Sequence, residues 1–513
     1  MKTTPTQLPE NVETLQALVH SLTEDNSTLE ERLAQLLEKH QCLLEQFRLA
    51  QHNRFGESSE SHPDQGDLFN EAESIIDNIE PEKETISYTR NKPKRQPLPK
   101  DLPREVRTID LAYDEKNCDE CGHDLHQMGS KKSEQLEFVP AQVKVIETVR
   151  LQYSCRVCEK EGTKNKIKIA PVPLSPIPKS IATPSLLSQI ITSKYQYSLP
   201  LYRQESMFKQ HGIALNRKTM SEWMMKSATL FKPIIEHLHQ SLLKQSVVQA
   251  DETTLNVLSE DKIKCYMWVY CSGTDSPSEN SMNNIVLYDY QSSRAGSCAV
   301  NYLAGFSGYL QADGYQGYEQ VNATLIGCMA HARRKFIEAQ KAQPKNKTGR
   351  ADWAINLIAK LYRIEKSIKE LPADEKKRIR DEKSVPLLEQ FRAWLDKSAL
   401  QVLPKSAIGK AVRYSLNQWS KLIGYTHSGE INIDNNRAER AVKPFVIGRK
   451  NWMFSNTANG AKASAVLYSI IETAKANGLT PYNYLVYLLN ELPKEPDDLE
   501  YLMPWNVELN GII

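Results

Sequence analysis

Apolar residues recur every seven positions at the start of the chain. Leu8, Leu15, Leu22, Leu29, Leu36 and Leu43 form one series, and Val12, Val19, Asn26, Leu33, His40 and Phe47 form its partner. Leu at d, Val at the early a positions and one Asn at a is the pattern of a parallel two-stranded coiled coil, in which Asn26 fixes register at some cost in stability. Pro9 places the start of the helix proper after Leu8. The pattern predicts a self-associating helix over 8–50. The alternative is a long amphipathic helix packed on its own protein, and six heptads with so polar an outer face argue against it.

Between Val247 and Tyr318 the period changes to two. VVQADETTLNVL, KCYMWVYC, NIVLYDYQ and GYLQADGYQGY read as strands, with the short amphipathic run SRAGSCAVNYLAGF before the fourth. Asp251 is expected to close the first strand and Asp313 the fourth. Side by side, such strands bring the two carboxylates close enough to repel unless a cation lies between them. A Mg²⁺ site acting on phosphodiesters is one reading. Ordinary strand-end or turn aspartates are the other, since Asp313-Gly314 is a common turn pair.

Helical periodicity fills most of the remainder. Residues 183–245 predict three helices, with Gly212 ending the second and Asn216 or Thr219 capping the third. Their Lys194, Arg203, Lys209, Arg217 and Lys218 fit a helix-turn-helix-like DNA reader or a plain scaffold equally. Residues 341–430 read as a helical insertion whose alternating Lys and Glu mark exposed faces. In IDNNRAERAVKPFVIGRKNWMFS, Asp434 is a good N-cap, and residues 435–442 form a short helix that Pro444 stops. Glu439 stands among Arg440, Lys443, Arg449 and Lys450. It is either a salt-bridged structural residue or a third metal ligand beside a phosphate path. A helix over 461–476 ends at Gly478, and Thr480-Pro481 starts the last one.

Charge and cysteine add two modules. Residues 57–84 are acidic and read as a flexible segment. The sign then flips: Lys92, Lys94 and Arg95 lead a basic run interleaved with prolines, which keep the arm extended toward a polyanion or simply leave it a solvated linker. Cys118-x-x-Cys121 and Cys155-x-x-Cys158 each form a knuckle aiming two sulfurs at one point, and together they make a tetrahedral cage for structural Zn²⁺. Four sulfurs leave no open position for catalysis, and His123 reads as a surface histidine. The alternating run LEFVPAQVKVIETVRLQYSC is expected to be a hairpin carrying the second knuckle back to the first. At 513 residues several domains are expected. No run of eighteen apolar residues exists, which argues against a membrane span. The N-terminus lacks the apolar core of a signal peptide, and nine cysteines with two CxxC pairs suit a reducing cytosol.

Several stretches together resemble the transposase of the insertion sequence sixty-six family: RFGESSE (54–60), the basic arm to LPR (102–104), the paired CxxC, PLYRQE (200–205), ADETT (250–254), ADGYQGY (312–318), HARRKF (331–336), NNRAERAVKPFVIGRKNW (435–452) and ETAKANGLTPYNYL (472–485). The likeness covers nearly the whole chain and departs at none of the three carboxylates. It implies a multidomain α+β protein: a coiled coil (8–50), an acidic then basic linker (51–107), a zinc-binding β domain (108–165), a helical domain (180–245), an RNase H-like core in two parts (246–340 and 431–492) around the helical insertion (341–430), and a tail (493–513).

The resemblance further implies a DDE transposase whose catalytic triad is Asp251, Asp313 and Glu439, holding Mg²⁺ (or Mn²⁺) for DNA cleavage and strand transfer at element ends. Glu252, expected on the opposite strand face, is a weaker candidate, and Glu472 is the main rival for the third place. Arg437, Arg440, Lys443, Arg449 and Lys450 are expected on DNA phosphates. Cys328 and His331, a C-x-x-H just beyond Asp313, are expected either to brace the site or to be an ordinary buried pair. The implied partners are DNA (terminal inverted repeats and target), a second copy or more through the coiled coil, and small accessory proteins of the same element. The implied location is the bacterial cytoplasm, at the nucleoid. The competing reading is a catalytically inert zinc-containing DNA-binding regulator.

Overall fold

The computed structural model describes residues 11–55, 143–153, 168–273, 283–343 and 349–507. The chain divides into two units, Met1–Ile79 with Pro171–Ile513, and Glu80–Ala170. In the second unit a short antiparallel ladder pairs β1 (Gln152–Tyr153) with β2 (Lys168–Ile169). Residues 143–150 carry no ladder; the rest of the hairpin expected over 136–155 lies mostly outside the described residues, and the partner of β1 comes from beyond that stretch. The four CxxC cysteines, and Lys92, Lys94 and Arg95, lie outside the described residues.

The first unit opens with α1 (Val12–Phe55), the long helix that the heptads predict. Its C-terminal half rests on the body of the unit, where Glu45 accepts the backbone N–H of Ala407 at 2.9 Å. Further toward its start the apolar series is bare: Leu22, Leu29 and Leu36 are 58, 60 and 62% exposed. Four helices follow rather than three, α2 (Pro184–Tyr195), α3 (Leu201–Gln210), α4 (Arg217–Leu230) and α5 (Lys232–Leu243). The predicted third helix breaks at Phe231, because Pro233 restricts the residue before it and has no N–H to continue the ladder. Asn216 is the cap, accepting the N–H of Thr219 at 2.9 Å.

A five-stranded mixed sheet forms the centre. Its strands are β3 (Val247–Asn256), β4 (Lys264–Ser272), β5 (Ile285–Gln291), β6 (Tyr309–Gln311) and β7 (Thr324–Ile326), in the order β5-β4-β3-β6-β7. The first three are antiparallel; β6 and β7 run parallel to β3. Between β5 and β6 lies α6 (Gly296–Tyr302). The near-continuous burial of β4 and β5 (Cys265, Met267, Trp268, Val269, Tyr270; Ile285, Val286, Leu287) requires cover on both faces.

The edge strand β5 is blunted from the side. Ser469 and Thr473 lie one turn apart on α14 (Ala458–Ala476), late in the chain. Their hydroxyls accept the N–H groups of Tyr288 at 2.8 Å and Val286 at 3.1 Å, and Thr473 also donates to the Val286 carbonyl at 2.9 Å. Edge groups that would otherwise pair with another chain are thereby satisfied inside the fold. The helices α2, α4 and α5 share one core with this sheet through Ile190, Ile191, Trp223, Phe231 and Leu238, so they are at least a scaffold.

The remaining helices are α7 (Met329–Lys341), α8 (Arg350–Ser367), α9 (Ala373–Ile379), α10 (Val385–Ala399), α11 (Ala407–Asn417), α12 (Trp419–Leu422), α13 (Asn436–Trp452) and α15 (Pro481–Glu491). The insertion shares a second core with α7 and the sheet edge, around Phe336, Phe391, Tyr425 and Ile326. Between α9 and α10 a π-helical turn carries Arg380, which is 2% exposed. Pro444 does not stop α13. It sits inside a 17-residue helix, where it removes one donor to the preceding turn. The Tyr288 hydroxyl donates to the Ala441 carbonyl beside that gap at 2.5 Å, an anchor from the sheet that local sequence does not reveal.

Candidate active site

Asp251 does not close β3; the strand continues to Asn256. Thr253 and Thr254, β-branched and paired with Met267 and Tyr266 of β4, carry it on. What ends near Asp251 is the pairing with β6, whose register couples Gln249 to Gln311. These two amides are buried and joined, Gln249 Nε2 donating to Gln311 Oε1 at 3.1 Å. Two residues further, the same register brings Asp251 level with Asp313, beyond the end of β6, where the Asp313 carboxylate accepts the N–H of Tyr315 at 2.9 Å.

The third acid arrives from far along the chain. Asn435, just before α13, is the tie. Its Nδ2 donates to the Ala250 carbonyl at 2.8 Å, and its N–H donates to Cys328 Sγ at 3.2 Å. Glu439 follows one turn later and is 4% exposed. Burial, then the charges of Glu252, Glu439 and Asp313, push the Asp251 carboxyl well above the usual range. Burial, with Asp434 and Asp313 adding to it, pushes Glu439 up to about 7 against the opposing pull of Arg334. The sequence alone gave no reason to expect raised values. Carboxyls from β3, from the end of β6 and from α13 therefore lie within one another's field.

The cations at Glu439 are not those of its own helix. Two side chains from α7 face it, one for each oxygen: His331 Nδ1 at 3.4 Å from Oε1 and Arg334 at 3.5 Å from Oε2. At i and i+3 they share one helix face. Burial, with Arg334 adjacent, lowers His331 to about 4, so the ring is neutral near pH 7. The C-x-x-H pair is thus brought to Glu439, while Arg334, inside the motif HARRKF, was missed; its i+3 spacing from His331 was the available signal.

The rivals are held elsewhere. Glu472 pairs with Lys475 at 2.8 Å, and its charge acts on Tyr288 rather than on Asp251. Glu252 is clamped by Arg294 and by the Tyr318 hydroxyl at 2.7 Å, while the Arg294 guanidinium stacks 4.0 Å from the Tyr315 ring. Among the expected DNA contacts, Arg437 is corrected: it is 3% exposed and donates to the Ser272 carbonyl at 2.6 Å. It falls on the buried face of α13, where its charge is spent on a carbonyl at the end of β4. Arg449 is half-buried and bonds to Thr253 and Thr254 of β3. Arg440 and Lys443 are half-buried, and Lys450 is exposed.

Among the described residues no helix is long and apolar enough to cross a membrane. Comparison with known proteins gives four family matches: "Transposase IS66 family" over residues 179–463, "zinc-finger binding domain of transposase IS66" over 115–159, "IS66 C-terminal element" over 469–505, and "Transposase C of IS166 homeodomain" over 42–107. The second match contains all four CxxC cysteines. Among similar proteins are three uncharacterized proteins of Sinorhizobium fredii (strain NBRC 101917 / NGR234). Protein y4jD is 34% identical, covering 80% of this chain and 81% of its own length. Protein y4hP is 31% identical over 82% and 78%, and y4qI is 29% identical over 98% of both. No solved structure matches. The chain belongs to the IS66 transposase family.

Proposed function

We propose that this protein is a Mg²⁺-dependent (or Mn²⁺-dependent) DNA strand transferase that cuts and joins insertion-sequence ends through Asp251, Asp313 and Glu439. The observation that carries this is the meeting of three carboxyls from separate elements in one half-buried place, two of them held toward the neutral form. Such a group is costly in an apo fold and suits a bound divalent cation, which would offset both burial and mutual repulsion. The strand order β5-β4-β3-β6-β7, three antiparallel then two parallel, supports an RNase H-like core.

Bound there, divalent ions would activate a water and then a 3′-hydroxyl for in-line attack on phosphodiesters. The protein's own part is positional. Asn435 fixes the start of α13 against β3, so that Glu439 is delivered beside Asp251. Arg334 donates to one Glu439 oxygen from α7, and His331 faces the other. Arg440, Lys443, Arg449 and Lys450 would line a phosphate path along that helix. Lys92, Lys94 and Arg95, outside the described residues, are separately expected to contact DNA phosphates. Cys118, Cys121, Cys155 and Cys158 would cage a structural Zn²⁺. The bare apolar series of α1 would pair with a second copy, making the working form a dimer or larger. Small proteins of the same element are further expected partners, and the nucleoid the expected location.

The test is purified protein with Mg²⁺ and DNA carrying the element's terminal repeats. Nicking or joining is expected, lost in Asp251→Asn while DNA binding persists. Unchanged cleavage in that variant would remove the assignment. Binding to the repeats with no metal-dependent cleavage by the wild type would favour the inert regulator.

A further inference from the structure

Beside the carboxyl cluster lies a second donor set of different chemistry. Cys328, His331 and Glu439 each offer one ligand atom, and these atoms lie within 4.8 Å of one another. Ligands around a tetrahedral zinc ion sit about 3.3–3.8 Å apart, given metal–ligand distances of about 2.0–2.3 Å. A small inward movement closes the set. Two of the donors are visibly unsatisfied: His331 Nδ1 and Glu439 Oε1 are buried, face each other at 3.4 Å, and have no hydrogen-bond partner among the described residues. Buried polar atoms left in that state are uncommon in native folds and point to something that completes them. The third donor is already dressed as a ligand. Cys328 Sγ accepts the backbone N–H of Asn435 at 3.2 Å, the kind of outer contact that a metal-bound sulfur makes.

We propose that Cys328, His331 and Glu439 form a binding site for a soft divalent transition metal of the zinc class. Sulfur and imidazole beside one carboxylate select such an ion over Mg²⁺, which prefers oxygen alone. Three protein ligands leave the fourth position to water. An ion held here keeps Glu439 turned toward α7 and away from Asp251 and Asp313. Zinc is therefore an inhibitor of the Mg²⁺-dependent reaction, a consequence that rests on the catalytic reading of Glu439, whereas the binding itself does not.

The deciding experiment measures metal content, not activity. The full chain, with Cys118, Cys121, Cys155 and Cys158 intact, is equilibrated with excess Zn²⁺, desalted and analysed by elemental mass spectrometry. Cys328→Ser and His331→Ala should each hold one zinc ion fewer per chain than the wild type, with circular dichroism confirming that each is folded. Co²⁺ added to protein already carrying its tighter zinc should give a thiolate-to-metal absorption band that Cys328→Ser lacks. Equal zinc content in wild type and variants overturns the proposal. If Cys328→Ser does not fold, equal content in His331→Ala overturns it alone. A protein inactive on DNA gives the same metal readout, so failure of the catalytic reading and failure of this one are distinguishable.

Discussion

Two buried charged clusters in this protein are built on opposite principles. In the helical insertion, Arg380 is 2% exposed and fully served: two of its nitrogens reach Glu365 at 2.9 and 2.6 Å, and the third donates to the carbonyls of Tyr425 and Ser428 at 2.9 and 2.8 Å. At the sheet, Glu439 is buried to a similar degree, yet its partners stand at 3.4 and 3.5 Å and its neighbours Asp251 and Asp313 share its sign. The first cluster holds helices together. The second is held in place by the fold with its charge unmatched, which is why the proposed function gives it a cation. Burial of charge alone does not distinguish structure from chemistry; the completeness of the hydrogen bonding does.

That contrast can be broken at either end. The largest effect should come from Asp251→Asn, which is expected to lower Mg²⁺-dependent cleavage at least about a thousandfold, or ~4 kcal/mol of barrier. Its thermal midpoint without metal should not fall, because burial already holds that carboxyl toward the neutral form, which Asn resembles in shape and charge. A variant that unfolds instead would place Asp251 with Arg380 among structural charges.

Next in size, Arg380→Met should cost about 3–5 kcal/mol in chemical denaturation, since it leaves half-buried Glu365 and the Tyr425 and Ser428 carbonyls without their donor. The double variant Arg380→Met/Glu365→Leu should recover much of that loss. A single variant of wild-type stability would mean the insertion does not depend on the pair.

Glu439→Gln should show a pH signature in the absence of divalent metal. The wild-type carboxyl is raised in the fold to about 7 from 4.5. Its contribution is therefore fully present below about pH 4.5 and is lost as pH rises through 7. Relative to the variant, wild type should lose up to ~3 kcal/mol between those values, and Mg²⁺ should restore it selectively at the alkaline end. Parallel stability curves for the two proteins would contradict the raised value.

The smallest effect belongs to the exposed Lys450. Its replacement by Ala should weaken DNA binding by about 1 kcal/mol or less and reduce the salt slope by about one, with cleavage per bound complex little changed. An unchanged salt slope would remove Lys450 from the phosphate path.

Much of the frame was legible in the chain. The heptads foretold α1, alternation foretold the strands, and of the two residues read as a cap, Asn216 and Thr219, the first is the cap. What escaped is what periodicity cannot carry. A pattern reports which face is apolar, not what covers it, so the hydroxyls of Ser469 and Thr473 capping the edge of β5, roughly 180 residues away in sequence, left no local trace. Arg437 looked like a DNA contact because its neighbours are basic, yet its position on α13 turns it inward. Pro444 read as a stop, whereas sheet contacts to the helix overrode the local penalty. At the site, strand pattern picked out the two aspartates, although Asp251 does not close its strand, and Glu439 stood between a structural and a metal-ligand reading until the family likeness favoured the second. The α7 side chains that face it required three dimensions.

Because α13 runs unbroken past Pro444, it fixes the spacing between its two ends, and under the proposed function that spacing would act as a ruler. Glu439 lies in its first turn and Arg449 in its last, ten positions on, or about 15 Å at 1.5 Å per residue. That length matches the rise of roughly four to five base pairs at 3.4 Å each. A duplex gripped at the far end of this helix would thus meet the acid at a fixed number of steps from the grip, and inserting one residue into the helix would rotate one end against the other by about 100°.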